Sequence, residues 1–524
     1  MTTPGFPVDA ADEALLAQVR PRDWVNPSPA PRYHLVVVGA GTGGLVTAAI
    51  AAGLGARVAL VERHLMGGDC LNVGCVPSKA LLAAARAWHD ARHATAYGGP
   101  AGQGEGDFAA VMRRLRALRA QLAPADAAAR FQRELGVDVF LGTGRFMGPG
   151  TLAVTSELDA GGETRLRFRR AVIATGARAA LPPIPGLAAA GARTNETIFD
   201  LTVLPRRLVV LGAGPIGCEL AQAFARFGSA VTVLERGPRV LPRDDADAAA
   251  LVQAALERDG VRFRFGASVE AVEREAAGDG APGGARVVRG RDVRGVFALA
   301  CDELLVATGR AANVEGLGLD AAGIAHTTAG VTVDDRLRTT NRRVYAVGDV
   351  ASRWRFTHAA DAMARLVVAN ALFFGRGRAS RLVVPWCTYT SPEVAHVGLT
   401  AEAAAAAGVA IDTITVPFEH LDRAVLEAPG GRAEAAAEGF CRVHLARRRD
   451  RIVGATLVGA HAGETIAEVT LAMTRGLGLG ALGATIHPYP TRAEALRKAA
   501  DAWRRTRLTP TARRVLDLFW RLFR

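Results

Sequence analysis

The sequence predicts an α/β protein with two Rossmann-like dinucleotide-binding domains and a C-terminal α+β domain. A glycine fingerprint of the form G-x-G-x-x-G follows a β-branched run at 39–44, and the same arrangement recurs at 212–217. Beyond Pro385, strand-like runs alternate with helical ones, which predicts a separate mixed domain. Half of the 524 residues are apolar, so three or four globular units are expected.

The net charge of +13 comes mainly from arginine, since lysine occurs only at Lys79 and Lys498. It is a weak indication of acidic partners, and no nucleic-acid partner is expected. The first residues carry acidic side chains with no apolar run after a basic cluster, which argues against a secretion signal or a transit peptide. No stretch reaches the roughly 18 to 20 apolar residues that span a bilayer. We therefore expect a cytoplasmic protein.

Changes in composition divide the chain into six parts. These are an N-terminal arm or linker (1–33), a first nucleotide-binding part (34–180) with a helical segment (78–135), a second nucleotide-binding domain (181–310), a return to the first (311–383), the mixed domain (384–500) and a basic amphipathic tail (501–524). The arm is polar and carries four prolines between 21 and 31, so we expect no lasting regular element in it.

The first fingerprint consists of Gly39, Gly41 and Gly44, between a strand and an Ala-rich helix. Glycines at these positions allow a tight turn, let a pyrophosphate approach backbone amides at the helix N-terminus, and permit close packing of helix on strand. Glu62 ends the next strand, where its carboxylate is placed to accept a hydrogen bond from a ribose 2′-hydroxyl. This part is predicted to form one βαβ nucleotide site.

The second fingerprint lies between a strand and a helix in the same way and consists of Gly212, Gly214 and Gly217. Glu235 follows at the same spacing of 23 residues from first glycine to acid, which indicates an internal duplication. A carboxylate there favours the free ribose hydroxyl of NADH and repels the 2′-phosphate of NADPH. Arg236 and Arg239 are close enough in sequence to weaken this preference.

A pair of cysteines, Cys70 and Cys75, lies between the two fingerprints in the run GGDCLNVGCVPSK (67–79). Asn72 and Gly74 give the intervening turn the freedom to bring the two α-carbons within disulfide range. A helix starting at the second cysteine lowers the pKa of its thiol and favours the reactive thiolate. Lys79 lies one turn further on the same helical face and adds a compact positive charge.

Two other interpretations of this pair are half of a metal site and two buried thiols. The chain has no second cysteine or histidine pair at ligand spacing, so no resident metal is predicted. The remaining cysteines are interpreted as buried small hydrophobic residues: Cys218, Cys301, Cys387 and Cys441.

The thiol motif with two glycine fingerprints resembles the flavin-dependent pyridine nucleotide-disulfide oxidoreductases, from about residue 33 to about residue 500. Within that family the pattern is most similar to mercuric reductase, with dihydrolipoamide dehydrogenase next. Further matches lie at strand ends and in a second flavin motif, and they include Thr175, Gly176, Gly309, Gly348 and Asp349.

The resemblance implies FAD at the first site and NAD(P)H at the second, with electrons passing through the flavin to the disulfide. By that resemblance Cys75 faces the flavin, Cys70 exchanges with substrate, and Glu219 is the partner of Lys79 near the flavin's reactive nitrogen. Asp349 would hold the ribitol of FAD. The mixed domain would be the dimerisation domain of a homodimer.

The chain departs from the disulfide-reducing members at 487–494. Those members carry H-P-T-x-x-E, whose histidine serves as acid and base, whereas Tyr489 takes that position here, with Glu494 after it and His487 two residues early. A phenol with a pKa near 10 is a poor proton shuttle at neutral pH, but its hydroxyl beside thiolates suits soft-metal binding. Mercuric reductase shares the tyrosine. The C-terminal cysteine pair and the cysteine-bearing N-terminal domain of that enzyme have no counterpart here.

These observations predict an oxidoreductase that passes electrons from NAD(P)H to Cys70 and Cys75, and then to a soft metal ion such as Hg(II) or to a small oxidised substrate. Alternatives are a dihydrolipoamide dehydrogenase and a slow redox partner or sensor at a membrane surface. The tail places apolar residues at helical spacing among arginines, including Arg524, which suits a helix on an anionic membrane. A helix docked on the same chain or on its dimer mate is the other interpretation.

Overall fold

The structure, a computed structural model, describes residues 9–100, 102, 106–156, 162–274, 286–429 and 438–523. The expectations for residues 1–8 of the arm and for Arg524 of the tail fall outside the described residues. In the described part, the α/β class and the mixed C-terminal domain predicted from the sequence are confirmed.

The N-terminal lead contains a ten-residue helix, α1 (Ala10–Val19), so the prediction that it holds no lasting regular element is wrong there. Asp9 caps this helix by accepting a hydrogen bond from the backbone amide of Asp12 at 2.9 Å. Leu15 and Val19 are fully buried in the core of the first domain. The prolines between 21 and 31 all come after the helix, which is why they do not prevent it.

The first nucleotide-binding part alternates strands and helices along the chain. Its elements are β1 (Tyr33–Val38), α2 (Thr42–Gly53), β2 (Val58–Glu62), α3 (Gly68–Asn72), α4 (Cys75–Arg92), α5 (Phe108–Leu122), α6 (Ala128–Arg133), β3 (Asp138–Leu141), β4 (Thr143–Gly148), β5 (Thr151–Thr155), β6 (Glu163–Ile173) and β7 (Ala177–Ala179). The first sheet has the order β3-β2-β1-β6-β5-β4, parallel through β3, β2, β1 and the end of β6.

The second unit repeats the arrangement on a smaller scale. Its elements are β8 (Arg207–Leu211), α7 (Pro215–Phe227), β9 (Ala230–Glu235), α8 (Ala246–Arg258), β10 (Arg262–Phe265), β11 (Ser268–Arg274), β12 (Arg286–Asp292), β13 (Gly295–Cys301), β14 (Glu303–Val306) and β15 (Arg310–Ala312). Strands β10, β9, β8 and β14 form a parallel sheet in that order, and β11 to β13 form an antiparallel sheet beside it.

The chain then returns to the first sheet. The elements of this part are β16 (His326–Thr327), β17 (Gly330–Val331), β18 (Val344–Ala346) and α9 (Thr357–Leu372). Strand β18 pairs in parallel with β6, and α9 packs against α2. The start of α9 therefore lies at the same edge of the first sheet as the first fingerprint.

The C-terminal part is an antiparallel sheet covered by helices. Its elements are β19 (Pro385–Thr388), β20 (Glu393–Gly398), α10 (Ala401–Ala406), β21 (Ile411–Pro417), α11 (Asp422–Leu426), β22 (Phe440–Ala446), β23 (Ile452–Gly459), α12 (Ala462–Arg475), α13 (Leu479–Ala484), α14 (Glu494–Thr506) and α15 (Pro510–Leu522). The strand order is β19-β20-β23-β22-β21.

The tail helix α15 has no buried residue, so the described chain does not cover its apolar side chains. Docking on its own chain, one of the two interpretations of the tail, is therefore not observed. Among the described residues, no helix is both long enough and apolar enough to cross a membrane.

Candidate functional site

A long cleft of about 1460 Å³ runs across the carboxyl ends of the first sheet towards the second unit. Its lining includes Glu62 and Arg63 of the first unit, together with Lys79 and Tyr389. Ligands of open α/β sheets bind at such strand ends. The cleft thus joins the first fingerprint, the thiol pair and the beginning of α7.

The first fingerprint has the backbone geometry that glycine alone supplies. Gly39 has φ +102°, and a Cβ there would lie 2.4 Å from the carbonyl oxygen of Ala174. A Cβ on Gly44 would lie 1.8 Å from the carbonyl oxygen of Gly39. Gly41 precedes α2 and lines the cleft, so the helix N-terminus opens onto it. These positions fit a dinucleotide pyrophosphate.

Glu62 is 8% exposed and receives two backbone hydrogen bonds. The amide of Ala40 donates to Oε2 at 2.6 Å, and the amide of His64 donates to Oε1 at 2.7 Å. Burial raises the pKa of this carboxyl, and the two amides oppose that rise. The carboxylate therefore first fixes the fingerprint loop, and its contact with a ribose stays a prediction.

The opposite wall of the cleft comes from strand-end turns and from Asp349. Thr175 and Gly176 line the cleft, and the hydroxyl of Thr175 donates to the carbonyl of Asn313 at 2.8 Å. Gly348 and Asp349 line it as well. Burial raises the pKa of Asp349, although Arg310 counteracts it.

Arg310 is a functional candidate that sequence analysis missed, although it directly follows Gly309. Its guanidinium lies 2.8 Å from Asp69, next to Cys70, and 3.4 Å from Asp349. Arg310 lies 241 residues after Asp69 in the sequence and links the thiol motif to the second flavin motif. Gly309 itself has φ +150° and does not line the cleft.

The two thiols of the motif lie on the cleft wall and are both free in this structure. The neighbouring Cys70 thiol is the largest cause that lowers the pKa of Cys75, to about 6. Burial opposes this shift, whereas the Thr357 hydroxyl, 3.3 Å from the sulfur, and Lys79 assist it. The same pairing raises the pKa of Cys70. Cys75 is thus the thiolate of the pair.

Lys79 lies beside the thiols and pairs with Glu219. Its Nζ is 2.9 Å from Oε2 of Glu219, whose other oxygen accepts the backbone amide of Tyr389 at 2.9 Å. The Lys79 ammonium also lies 4.5 Å from the centre of the Tyr389 ring. The structure therefore brings together the lysine and the glutamate that sequence analysis paired across 140 residues.

The second fingerprint has nearly the same local geometry. Gly212 has φ +100°, and a Cβ on Gly217 would lie 2.0 Å from the carbonyl oxygen of Gly212. A Cβ on Gly214 would meet nothing within 4 Å. The amides of Ala213 and Gly237 donate to Glu235 at 2.8 and 2.7 Å. This loop and the start of α7 therefore fit a second dinucleotide.

The two arginines near Glu235 differ in their surroundings. Arg239 donates to the backbone carbonyl of Asp244 at 3.0 Å and lies 3.3 Å from Glu402. Arg236 is exposed. Arg236 is therefore the better placed of the two to meet a 2′-phosphate, and the predicted preference for NADH stays a prediction.

The C-terminal candidates lie away from the cleft of their own chain. Tyr489 is 69% exposed and donates its hydroxyl to Asp422 at 2.6 Å, a contact that raises the pKa of the phenol. The His487 side chain is buried, and its Nε2 lies 3.0 Å from Glu468. Glu494 is 6% exposed and lies 2.5 Å from Arg497. Of the three, only Tyr489 is presented at the surface.

The cleft contains two further side chains that sequence analysis missed. Thr357 begins α9 and contacts Cys75, but no local pattern marks it. Cys387, interpreted above as a buried small hydrophobic residue, is half-buried and lines the cleft with Tyr389. The position of Thr357 depends on the return of the chain to the first sheet, and that of Cys387 on strand β19 of the C-terminal sheet. Within the described ranges, no cluster of three or more His, Cys, Asp or Glu side chains is arranged to hold a metal ion.

Comparison with known proteins gives matches along most of the chain. Residues 33–364 match the model "Pyridine nucleotide-disulphide oxidoreductase", and residues 384–500 match the dimerisation domain of the same group. A mercuric reductase of Streptomyces lividans is 35% identical over 90% of this chain and 96% of its own length. A dihydrolipoyl dehydrogenase of Thermus scotoductus is 36% identical over 90% of this chain and 97% of its own length.

A solved structure is similar over the same extent. The Cu(II) complex of the HOCl-induced flavoprotein disulfide reductase RclA from Escherichia coli has a TM-score of 0.77 and 28% identity, covering 90% of this chain and 100% of that one. The two family models together span both fingerprints, the thiol motif and the antiparallel C-terminal sheet.

Proposed function

This chain belongs to the pyridine nucleotide-disulphide oxidoreductases, and from that premise we propose that it reduces a soft metal ion such as Hg(II), or a small oxidised substrate, through Cys70 and Cys75. The family uses FAD and NAD(P)H, and the chain is a flavin-dependent oxidoreductase. The observation that carries the proposal is the low-pKa Cys75 thiol, exposed on the cleft beside Lys79 and Thr357.

The first site fits FAD because Gly41 lines the cleft at the N-terminus of α2, where a Cβ would project into open space and meet only the α-carbon of Gly68, at 3.8 Å. Gly39, Gly41 and Gly44 would hold the pyrophosphate, Glu62 the ribose and Asp349 the ribitol. When bound, FAD transfers the two electrons of a nicotinamide hydride to the Cys70–Cys75 disulfide. Lys79 and Glu219 would place a balanced charge pair beside the reacting ring.

The nicotinamide would enter at the second fingerprint. Gly212, Gly214 and Gly217 would hold its pyrophosphate, and Glu235 would accept a hydrogen bond from the ribose. A free 2′-hydroxyl suits that carboxylate, so we propose NADH as the preferred donor. The exposed guanidinium of Arg236 limits this preference for NADH, because it attracts the 2′-phosphate of NADPH.

Two reduced thiols at this position make a soft ligand pair for a metal ion. Thiolate sulfur selects soft metals, and the pKa of about 6 keeps Cys75 deprotonated at neutral pH. Reduction of Hg(II) to the metal consumes the two electrons of one NAD(P)H, which leaves as NAD(P)⁺ with release of a proton. The names of two relatives, a mercuric reductase and a Cu(II) complex of a disulfide reductase, favour metal ions as the substrate class.

The dimerisation domain indicates a homodimer. We propose that exposed Tyr489 of one subunit lies at the thiols of its partner and assists metal binding with its hydroxyl. His487 is buried against Glu468, so it is not placed to serve as acid and base for a substrate in the described chain. Glu494 then supports the Tyr489 loop as a buried group.

An acceptor panel tests this proposal. Anaerobic titration of the holoenzyme with NADH and with NADPH identifies the donor, and long-wavelength charge-transfer absorbance is expected after two-electron reduction. Rates with Hg(II), Cu(II), lipoamide, glutathione disulfide and a quinone then identify the acceptor. Fast turnover with a metal ion or with glutathione disulfide, lost in Cys75→Ser, supports the proposal, while fast turnover with lipoamide alone favours the second candidate below, and no thiol-dependent turnover with any acceptor contradicts it.

Dihydrolipoamide dehydrogenase is the second candidate, because relatives with that name match equally well. Tyr489 separates the two candidates, since a phenol is a poor acid and base at neutral pH. If the chain already turns over dihydrolipoamide rapidly, Tyr489→His will change that rate little. If it is a metal reductase, Tyr489→His is expected to slow metal reduction and to raise a low dithiol activity.

We also propose peripheral membrane contact through the tail of a cytoplasmic protein. Helix α15 exposes Val515, Leu518 and Leu522 by 60% or more, while its arginines Arg513, Arg514 and Arg521 share another face. A basic amphipathic helix of this kind binds anionic bilayers. Co-sedimentation with phosphatidylglycerol vesicles, lost on truncation after Thr509, would support it. Truncation that instead converts a dimer to a monomer would identify the dimer mate as the occupant.

A slow membrane-surface redox partner or sensor is the third candidate, and it requires this tail contact. Turnover far below the roughly one per second at the low end for enzymes, with every acceptor tested, would favour it.

A further inference from the structure

Helix α1 lies outside the residues that match the family, which begin at residue 33, yet it is buried against the segment that carries the thiols. Its last turn contacts that segment through the backbone. The amide of Met66 donates to the carbonyl of Val19 at 3.1 Å, and the Arg20 guanidinium donates to the carbonyls of Arg63 and His64, each at 2.8 Å. The approach to the thiol motif is therefore attached to the N-terminal lead.

A buried ion pair makes a second connection. Asp12 of α1 lies 2.7 Å from Arg119 of α5, and both side chains are at most 2% exposed. The same guanidinium donates to the backbone carbonyl of Asn72 at 2.8 Å. Asn72 is the last residue of α3 and lies between Cys70 and Cys75, so its carbonyl has no partner within that short helix. Arg119 supplies the missing donor.

The remaining contacts of the thiol loop show why this donor matters. The Asn72 side chain donates to the carbonyls of Met66 and Gly68 at 3.0 and 2.8 Å. Asn195 donates to the carbonyl of Val73 at 3.2 Å. Arg119 therefore complements Asn195, each holding one carbonyl of the turn between the cysteines. A planar guanidinium can face a carboxylate and a carbonyl at once, which an ammonium cannot do in the same geometry.

We propose that Asp12 and Arg119 are positioning residues: through the Asn72 carbonyl, helix α1 fixes the turn that places the Cys70 thiol on the Cys75 sulfur. Loss of the ion pair removes one of the contacts that orient the guanidinium and so loosens the turn between the two sulfurs. The proposal rests on the proposed role of Cys75 as the thiolate of the pair, but its test does not depend on the identity of the acceptor.

The test measures the long-wavelength charge-transfer absorbance of the two-electron-reduced holoenzyme as a function of pH, because the Cys75 thiolate facing the flavin would produce this band. Asp12→Asn keeps the shape of the side chain and removes its charge. We expect its absorbance profile to move to higher pH, with the absorbance at pH 6 about threefold lower than in the wild type.

Asp9→Asn is the matched control. Asp9 caps the same helix and pairs with Arg116 at 2.5 Å, and within the described residues neither side chain hydrogen-bonds to the thiol loop. This change should lower the melting temperature without moving the absorbance profile. A profile of Asp12→Asn that overlays the wild type, with a similar loss of melting temperature, would show that α1 only stabilises the fold and would overturn the proposal.

Arg119→Lys tests the proposed positioning role if Asp12→Asn does not fold. It keeps a positive charge opposite Asp12 but removes the simultaneous contact with Asn72. A profile displaced to higher pH supports the proposal, and an unchanged profile in the folded variant overturns it. If the reduced wild type shows no charge-transfer absorbance at any pH, the proposed thiolate role of Cys75 fails instead, which separates the two failures.

Discussion

The two nucleotide-binding units hold the acidic residue that follows their glycine fingerprint with nearly the same hydrogen bonds. They differ in the chain segment that comes after this residue. In each unit, one carboxylate oxygen accepts the amide after the first glycine, and the other accepts the amide two residues beyond the acid. In the first unit the chain continues into the thiol motif, and the amide of Gly67 donates to the carbonyl of Ala40 at 2.9 Å. In the second unit the equivalent bond comes from Leu241, with no thiol motif near it in the sequence.

This difference shows that the duplicated unit supplies binding, while the inserted segment supplies chemistry. A Cβ on Gly68 would lie 2.6 Å from the α-carbon of Gly41, so the thiol segment packs directly on the first fingerprint. Gly214, the counterpart of Gly41, faces open space in the described structure. In the first unit, the nucleotide loop therefore packs against the segment that carries the cysteines. In the second unit, the loop is open, which suits a ligand that binds and dissociates.

The largest effect is expected from Cys75→Ser, which removes the chemistry of the first unit. Reduction of the metal or other thiol-dependent acceptor should fall by about a thousandfold or more, because a hydroxyl replaces the thiolate. Bleaching of the flavin by NAD(P)H should persist, since both fingerprints are intact. Stopped-flow absorbance measures both steps. Cys387→Ser, in the same cleft, serves as control and should retain most activity; equal losses in both variants would contradict the special role of the pair.

Gly68→Ala tests the packing of the thiol segment on the first fingerprint. Its φ of +58° is unfavourable for alanine, and the new Cβ would overlap Gly41, so we expect a loss of about 2–4 kcal/mol in the free energy of unfolding. Flavin content after purification should fall as well. Gly214→Ala is the matched change in the second unit and should cost about 1 kcal/mol or less. Chemical denaturation compares them, and similar costs would remove the distinction between the two units.

Glu62→Gln and Glu235→Gln compare the contribution of the carboxylate that both units place after the glycine fingerprint. An amide nitrogen cannot accept the backbone N–H bond, so each change should cost about 1.5–3 kcal/mol locally. In Glu62→Gln the loss should appear as weaker flavin retention, measured by ultrafiltration. In Glu235→Gln the flavin should stay bound while KM for NADH rises about tenfold. The ratio of NADH to NADPH activity should also narrow, because less negative charge faces a 2′-phosphate.

The smallest expected effect is the dependence of the Cys75 thiolate on pH. Since the pKa of Cys75 is about 6, its charge-transfer absorbance should be complete near pH 8 and decline as pH falls through 6 and the thiolate is protonated. Lys79→Gln removes one of the causes that lower this pKa, so the decline should begin at higher pH. Cys218 of the second unit is buried, which raises the pKa of its thiol, and it should stay unlabelled by iodoacetamide in the native protein. Labelling of Cys218 at the same rate as Cys70 would contradict this contrast.

Local sequence determined most of the fold because its signals act over short distances. Gly39 and Gly212 need positive φ, and Glu62 and Glu235 come after their strands at fixed spacing, so both units were predictable. The prediction for the lead was wrong because it rested on the prolines, whereas Asp9 caps α1 and Leu15 and Val19 bury it. The burial of that helix depends on α5, about a hundred residues further along the chain.

The sequence alone therefore determined the class of the protein, its two nucleotide sites and its cysteine pair, since each depends on residues within one turn or one βαβ unit. Tertiary structure decided which groups surround the sulfur. Thr357 reaches Cys75 because α9 packs beside α2, and Arg310 reaches Asp69 from the end of the second unit. Contacts across such separations depend on how sheets and helices pack, and no local pattern in the chain records them.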